Sequence, residues 1–164
     1  MRSSKRRFAY DMTKSPRTIY LLRIVEIAIR SGMEQRLREF QLTDVQYTVL
    51  SILNARDGLS SAELSRRFRV TPQSMNEMIT TLERKEMISR HEDPENRRIL
   101  RLRLTPYGRS VFEKCDQRVD ELEAELFGRL SREDLSRFRH VLGLAVAGLR
   151  GTQSPEPRAA ASLR

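Results

Sequence analysis

A set of short hydrogen-bonding side chains lies close together in this chain, flanked by arginines. Thr71, Gln73, Ser74, Asn76 and Thr80 all fall within TPQSMNEMITTLERKE, residues 71–86. Met75, Met78, Ile79 and Leu82 interleave with them at helical spacing. The apolar and polar sets therefore take opposite faces of one helix. Asn and Gln amides can make paired hydrogen bonds to an adenine edge. Ser and Thr hydroxyls can meet bases or phosphates, and a Thr methyl can meet that of thymine. Arg66 and Arg67 stand just before this run, and Arg97 and Arg98 follow it in ISRHEDPENRRILRLRLT, residues 88–105. Guanidinium groups match phosphate through a planar, two-pronged fork. The chemistry implied is recognition of a nucleic acid, with amides for bases and arginines for phosphates.

Several elements must position these groups. Thr71-Pro72 is an N-cap followed by proline at the first helical position, and the N–H groups at that end can hold a phosphate. Before it, Ser60 or Ser61 caps a short helix, SAELSRRF, with Ala62, Leu64 and Phe68 expected inward. Earlier still, Thr43 caps LTDVQYTVLSILNA, and Gln46 three residues on completes a capping box. Asp57-Gly58 marks the turn between them. After residue 86, Leu100, Leu102 and Leu104 alternate with Arg101 and Arg103. Period-2 alternation predicts a hairpin with an apolar back, a cationic front and an arginine-bearing tip. Short helix, tight turn, second helix and hairpin together make a winged helix-turn-helix. An arginine at such a tip can enter the minor groove.

Long helices flank this unit. Residues 17–40 carry IYLLRIVEIAI, apolar nearly all round, which predicts burial all round and so a second subunit. Thr105-Pro106 opens a helix to about residue 127 with Val111, Phe112, Cys115, Val119, Leu122 and Leu126 as its inward stripe. The last helix carries Leu135, Phe138, Leu142, Ala145 and Leu149. The expected organisation is a flexible basic arm (1–15), a helical dimerisation region (16–42 and 106–150), a DNA-binding domain (43–105) and a disordered tail (151–164). The fold class is mainly α with a small β-hairpin wing.

The formal net charge is +9 over 164 residues. Arg2, Lys5, Arg6, Arg7, Lys14 and Arg17 make the N-terminal arm basic, whereas DELEAEL (120–126) is acidic. A basic surface attracts nucleic acid or an anionic membrane, but no apolar run approaches the ~18–20 residues of a membrane span. The first residues lack the apolar core of a secretory signal, so the cytoplasm is the expected compartment; the basic arm fits a nucleic-acid tether or a transit segment equally. One cysteine excludes an intrachain disulfide, and Cys115 on an apolar stripe is expected to be a buried thiol. His91 and His140 lack the ligand spacing of a metal site. No nucleophile–base order and no glycine-rich phosphate loop is visible. Neither catalysis, nor a metal, nor a cofactor is expected.

LTDVQYTVL (42–50), AELSRRFRVTPQSMNEMITTLERKEMISR (62–90) and DPENRRILRLRLTPYG (93–108) together resemble the MarR family of bacterial transcription regulators. The likeness extends over about residues 17–149. It implies a homodimer with interleaved terminal helices, reading a pseudo-palindromic operator in double-stranded DNA. Gln73, Ser74 and Asn76 match recognition-helix positions, Arg97 matches the wing-tip arginine, and Arg98 follows it. It also implies a ligand-responsive regulator of the repressor type, released by a small aromatic acid or its CoA thioester. Arg23 and Arg30, a heptad apart, and Tyr47 are the residues a cleft could offer such an anion. Relatives that sense peroxide use a cysteine near the N-terminus, which this chain lacks. Two departures stand out. The usual wing aspartate is Asn96, which predicts a less pre-ordered wing. The usual glycine after the recognition helix is Glu86, which predicts a different helix end or strain. The residues leave open a sequence-independent architectural DNA binder and a winged-helix protein-interaction module without an effector.

Overall fold

The computed structural model describes residues 16–151. The arm at 1–15 and all of the tail after residue 151 lie outside them. The chain divides into two compact units, one running to Leu122 and one from Glu123.

The first unit opens with α1 (Thr18–Leu37), a 3-10 turn (Arg38–Phe40) and α2 (Asp44–Ala55). Strand β1 (Leu59–Ser60) leads into α3 (Ser61–Phe68) and α4 (Pro72–Arg84). Strands β2 (Ile88–Glu92) and β3 (Leu100–Leu104) follow, then α5 (Pro106–Phe127), whose last turn enters the second unit. The sheet is antiparallel in the order β1-β3-β2. Leu59 pairs with Leu102 and Ser60 with Arg101, while Ile88 pairs with Leu104 at the far end of the wing. The two-residue β1 has no alternation to read, so the sequence pattern could not reveal the third strand.

The expected caps are all present. Thr43–Gln46 and Ser60–Glu63 form reciprocal capping boxes, and the Thr71 hydroxyl accepts the Ser74 N–H. The Thr105 hydroxyl accepts the Gly108 N–H at 2.9 Å and donates to the Glu86 carbonyl at 2.6 Å. Three helical segments end on a non-glycine residue in the left-handed region: Gln41, Arg69 and Glu86, at φ 54°, 54° and 57°. Glu86 thus keeps the backbone shape that glycine would favour. The Met87 N–H closes that end on the Leu82 carbonyl at 3.0 Å.

Leu50, Leu53, Leu59, Leu64, Met75, Ile79, Leu82 and Leu102 form the centre of the core. Met75, Ile79 and Leu82 are 0 % exposed. Burial of each such side chain contributes about 1.5–3 kcal/mol. The helix propensity lost at each Thr, Ser or Asn on the other face is at most about 0.7 kcal/mol. Packing therefore sets the rotation of α4 and turns its polar face outward. Gly108 lets α5 cross close to the wing: a Cβ there would lie 1.8 Å from the Met87 carbonyl oxygen.

Some inward expectations fail. Ala62 is exposed and Phe68 only half-buried. On β3, Leu102 is buried and Leu104 half-buried, but Leu100 is 43 % exposed because the core ends before the wing tip. Helix α1 is not buried all round. Only Met33 and Leu37 are buried, and Ile19 and Ile27 are 75 % and 53 % exposed among the described residues. The second unit contains the end of α5 and α6 (Arg132–Gly151). There Phe127 packs on Phe138 at a ring separation of 5.7 Å, and Arg139 pairs with Glu123. Leu135, Phe138 and Leu142 are half-buried, but Ala145 and Leu149 are exposed, so the expected stripe fades along α6.

Candidate nucleic-acid interface

Thr71, Gln73, Ser74 and Asn76 are exposed on α4, and Thr80 is half-buried. Gln73, Asn76, Glu77, Thr80, Thr81 and Arg84 line one open groove along this face. Arg84 did not emerge from the sequence reading, although it lies one helical turn beyond Thr80.

Local bonds orient these side chains. Gln73 Nε2 donates to Glu77 Oε1 at 3.1 Å, and Ser61 Oγ donates to Asn76 Oδ1 at 2.6 Å. Gln73 keeps its carbonyl oxygen for a partner, and Asn76 keeps its amino group. Thr71 Oγ1 and Ser74 Oγ share a hydrogen bond of 2.9 Å at the helix start. Thr80 is committed elsewhere: its Oγ1 accepts from Arg90 at 3.1 Å, and Arg90 also pairs with Glu83 at 3.4 Å.

The wing is ordered by a residue the sequence reading passed over. Asp93 is buried at the base of the tip. Its Oδ1 accepts the N–H groups of Glu95 and Asn96 at 2.8 and 3.1 Å, and its Oδ2 accepts Arg101 Nε at 2.5 Å. The Arg101 hydrogen bond, with that of the Glu95 N–H, holds the Asp93 carboxyl below its ordinary range. Asn96 Oδ1 accepts the Arg98 N–H at 3.1 Å, and the Asp93 N–H bonds the Ile99 carbonyl at 2.9 Å. Asp93, three residues before Asn96, thus supplies an anchoring carboxylate at the wing base. Its signal was present in the sequence: an Asp before Pro can accept N–H groups two and three residues on.

The expected cationic front also needs correction. Arg101 NH1 donates to Glu63 Oε2 at 3.1 Å and to the Gly58 carbonyl at 3.3 Å. Glu63 is itself held in the charged form, first by the Ser60 N–H and then by the Ser60 hydroxyl. Arg103 pairs with Asp57 at 3.5 Å. Both β3 arginines thus pair with acids, Arg101 in a part-buried network with Asp93 and Glu63 and Arg103 in an exposed pair with Asp57. The available cations are elsewhere. Arg97 is 88 % exposed and makes only a long, solvent-exposed ion pair with Glu92, at 3.9 Å. Arg66, Arg67 and Arg98 are exposed, and none has an acidic partner among the described residues. Arg66 and Arg98, from α3 and the wing tip, line the same groove.

The sequence profile of the MarR family matches residues 42–100, the stretch that carries this interface. The HTH-type transcriptional repressor Rv2887 of Mycobacterium tuberculosis is 32% identical over 123 residues, 75% of this chain and 88% of the relative. The chain belongs to the MarR family. It is therefore a winged helix-turn-helix transcription regulator that binds DNA, and it is not an enzyme. The homoprotocatechuate degradative operon repressor of Escherichia coli is 22% identical over 79% of this chain and 87% of its own length. Among solved structures, the Staphylococcus aureus MepR–DNA complex is similar with a TM-score of 0.69 and 26% identity, over 80% of this chain and 97% of that one.

Each residue considered for an effector in this MarR-family protein has a partner of its own within the chain. Arg23 and Arg30 both pair with Glu26, at 3.2 and 2.6 Å, on the exposed side of α1. Tyr47 is buried: it stacks on Phe112 at 5.9 Å, and its hydroxyl donates to Asp116 Oδ1 at 2.6 Å. A hydroxyl already facing a carboxylate is a poor seat for an organic anion. Cys115 is fully buried, and desolvation pushes its thiol up to about 11. His91 Nε2 shares a hydrogen bond with Ser89 Oγ at 2.9 Å. Among the described residues no cluster of His, Cys, Asp and Glu could hold a metal ion, and no helix is long and apolar enough to cross a membrane.

Proposed function

We propose that this protein is a cytoplasmic repressor that binds a pseudo-palindromic operator as a homodimer. The observation that carries the reading is the outward face of α4, with polar, oriented side chains and uncommitted arginines at both flanks. Gln73, Ser74 and Asn76 read base edges. Arg66, Arg67, Arg97 and Arg98 contact phosphates or the minor groove, and the Thr71 end of α4 receives a phosphate. Thr80 holds β2 to α4 and acts at most as a secondary contact. The apolar, exposed first half of α1 supports a second copy as its cover. In such a dimer the two recognition helices meet half-sites about one helical turn apart, roughly 34–36 Å.

Release by a small aromatic acid or its CoA thioester is part of this proposal. Kinship with a repressor named for a homoprotocatechuate degradative operon supports the aromatic class. Arg23 and Arg30 remain available only if the ligand displaces Glu26. Selection of DNA from a random pool, followed by gel shift and sedimentation, tests the core of the reading. The expected result is a two-fold symmetric site bound by one dimer. Equal affinity for every duplex would instead favour an architectural binder. Thermal shift with aromatic acids and thioesters, paired with release from that DNA, tests the effector. If no compound both stabilises the protein and releases DNA, the sensor role is refuted.

A further inference from the structure

We propose that Arg101 is a positioning residue that locks α3 to the wing and so builds one seat for a backbone phosphate between Arg66 and Arg98. The inference rests on the DNA-binding reading and adds to it a residue whose part is to fix the spacing of the two arginines. The seat is the groove lined by Ser60, Ser61, Arg66, Arg98, Leu100 and Arg101. Its two available cations come from different elements, one from α3 and one from the wing tip. A phosphate can use both only if their separation is fixed beforehand.

The backbone alone joins these elements weakly, since β1 pairs with β3 through two residues, Leu59↔Leu102 and Ser60↔Arg101. From its place opposite Ser60, the Arg101 guanidinium spans the junction. It donates to Glu63 in the first turn of α3, to the Gly58 carbonyl before β1, and to Asp93 in the wing. Each end then extends by further bonds. Glu63 accepts from the Ser60 N–H and hydroxyl that start α3. Asp93 accepts from the N–H groups of Glu95 and Asn96, and the Asn96 side chain accepts from the Arg98 N–H. A continuous line of hydrogen bonds therefore runs from the cap of α3 to the backbone of Arg98. A rigid, planar fork suits this bridging between two carboxylates, and a lysine ammonium does not.

The sign of one substitution tests the idea. Glu63→Gln removes a negative charge beside the seat, so charge alone predicts tighter binding to DNA. Glutamine preserves the capping box but weakens the hold on Arg101, so the tether predicts weaker binding. The measurement is affinity for a mixed-sequence DNA duplex across a salt series. Arg66→Ala and Arg98→Ala should each flatten the plot of log K against log[salt] by about 0.9 for every phosphate left without its arginine. Glu63→Gln should bind roughly three- to tenfold more weakly, as expected for loss of one charge-assisted bond, with a flatter slope. Combined with Arg98→Ala, it should cost less than the two effects added. Arg101→Met should behave alike, and if that variant fails to fold, Glu63→Gln still decides. Unchanged or tighter binding by Glu63→Gln, with an unchanged slope, overturns the inference while leaving DNA binding intact. A wild-type protein without salt-dependent DNA binding removes both.

Discussion

Replacing Glu86 by glycine should stabilise this protein. Glu86 ends α4 at φ 57°, a region where a side chain meets its own backbone. It cannot relax, because neighbouring bonds hold it on both sides. Its N–H bonds the Glu83 carbonyl at 2.8 Å, the next N–H closes on Leu82 at 3.0 Å, and its carbonyl accepts the Thr105 hydroxyl at 2.6 Å. The left-handed conformation costs an L-residue about 1–2 kcal/mol. Glycine removes that cost but gives up roughly 0.5–1 kcal/mol in extra chain entropy on folding. The net gain is about 0–1.5 kcal/mol, with the midpoints giving about 0.75 and so a rise of roughly 2–3 °C in Tm for a chain of this size. Glu86→Ala is the control, since it removes the carboxylate near the helix C-terminus, worth about 0.3–1 kcal/mol against the dipole, and keeps the backbone cost. Paired thermal and urea melts of the two variants isolate the φ contribution. A Glu86→Gly protein no more stable than Glu86→Ala would refute the strain argument. DNA affinity should be the same in both, because Glu86 is not among the residues that line the α4 groove.

Gly108→Ala should be severely destabilising, by about 3 kcal/mol or more, because the new methyl meets the backbone carbonyl of Met87 and neither can turn aside; an unchanged melting curve would contradict the close crossing of α5 and β2. Cys115 should resist thiol reagents and peroxide in the native protein at neutral pH, and labelling should track unfolding in a urea series, since the thiol is buried and its ionisation pushed up. Rapid stoichiometric labelling without denaturant would rule this out. Tyr47→Phe should cost about 1–2 kcal/mol by leaving Asp116 without its phenolic donor. Burial, reinforced by Asp116, raises the Tyr47 pKa, so the folded state keeps a proton that the unfolded state loses. The stability this contributes is fully present below about pH 10 and declines above it; alkaline melts of the Phe variant should show a shallower decline than wild type.

Much of this molecule was decided by local rules. Thr43, Thr71 and Thr105 each mark a helix start through a short hydroxyl with the right neighbours and act as expected, and of Ser60 and Ser61 it is Ser60 that caps α3. The period of Met75, Met78, Ile79 and Leu82 separates the inner and outer faces of α4, and all but the half-buried Met78 are fully buried. Gln73, Ser74 and Asn76 were legible for the same reason, since a helix face depends only on spacing. Tertiary structure decided the electrostatics. Arg101 and Arg103 alternate with leucines as an exposed cationic row would, yet Glu63 and Asp93 hold Arg101 in a part-buried network and Asp57 pairs with Arg103. Glu63 lies 38 residues from Arg101, and only the pairing of β1 with β3 brings them together. The same holds for Tyr47, whose partner Asp116 is 69 residues away. Periodicity can assign a side chain to a face, because that follows from backbone geometry. Which charges remain available for DNA depends on what the fold places opposite them, and that left Arg66 and Arg98 in one groove.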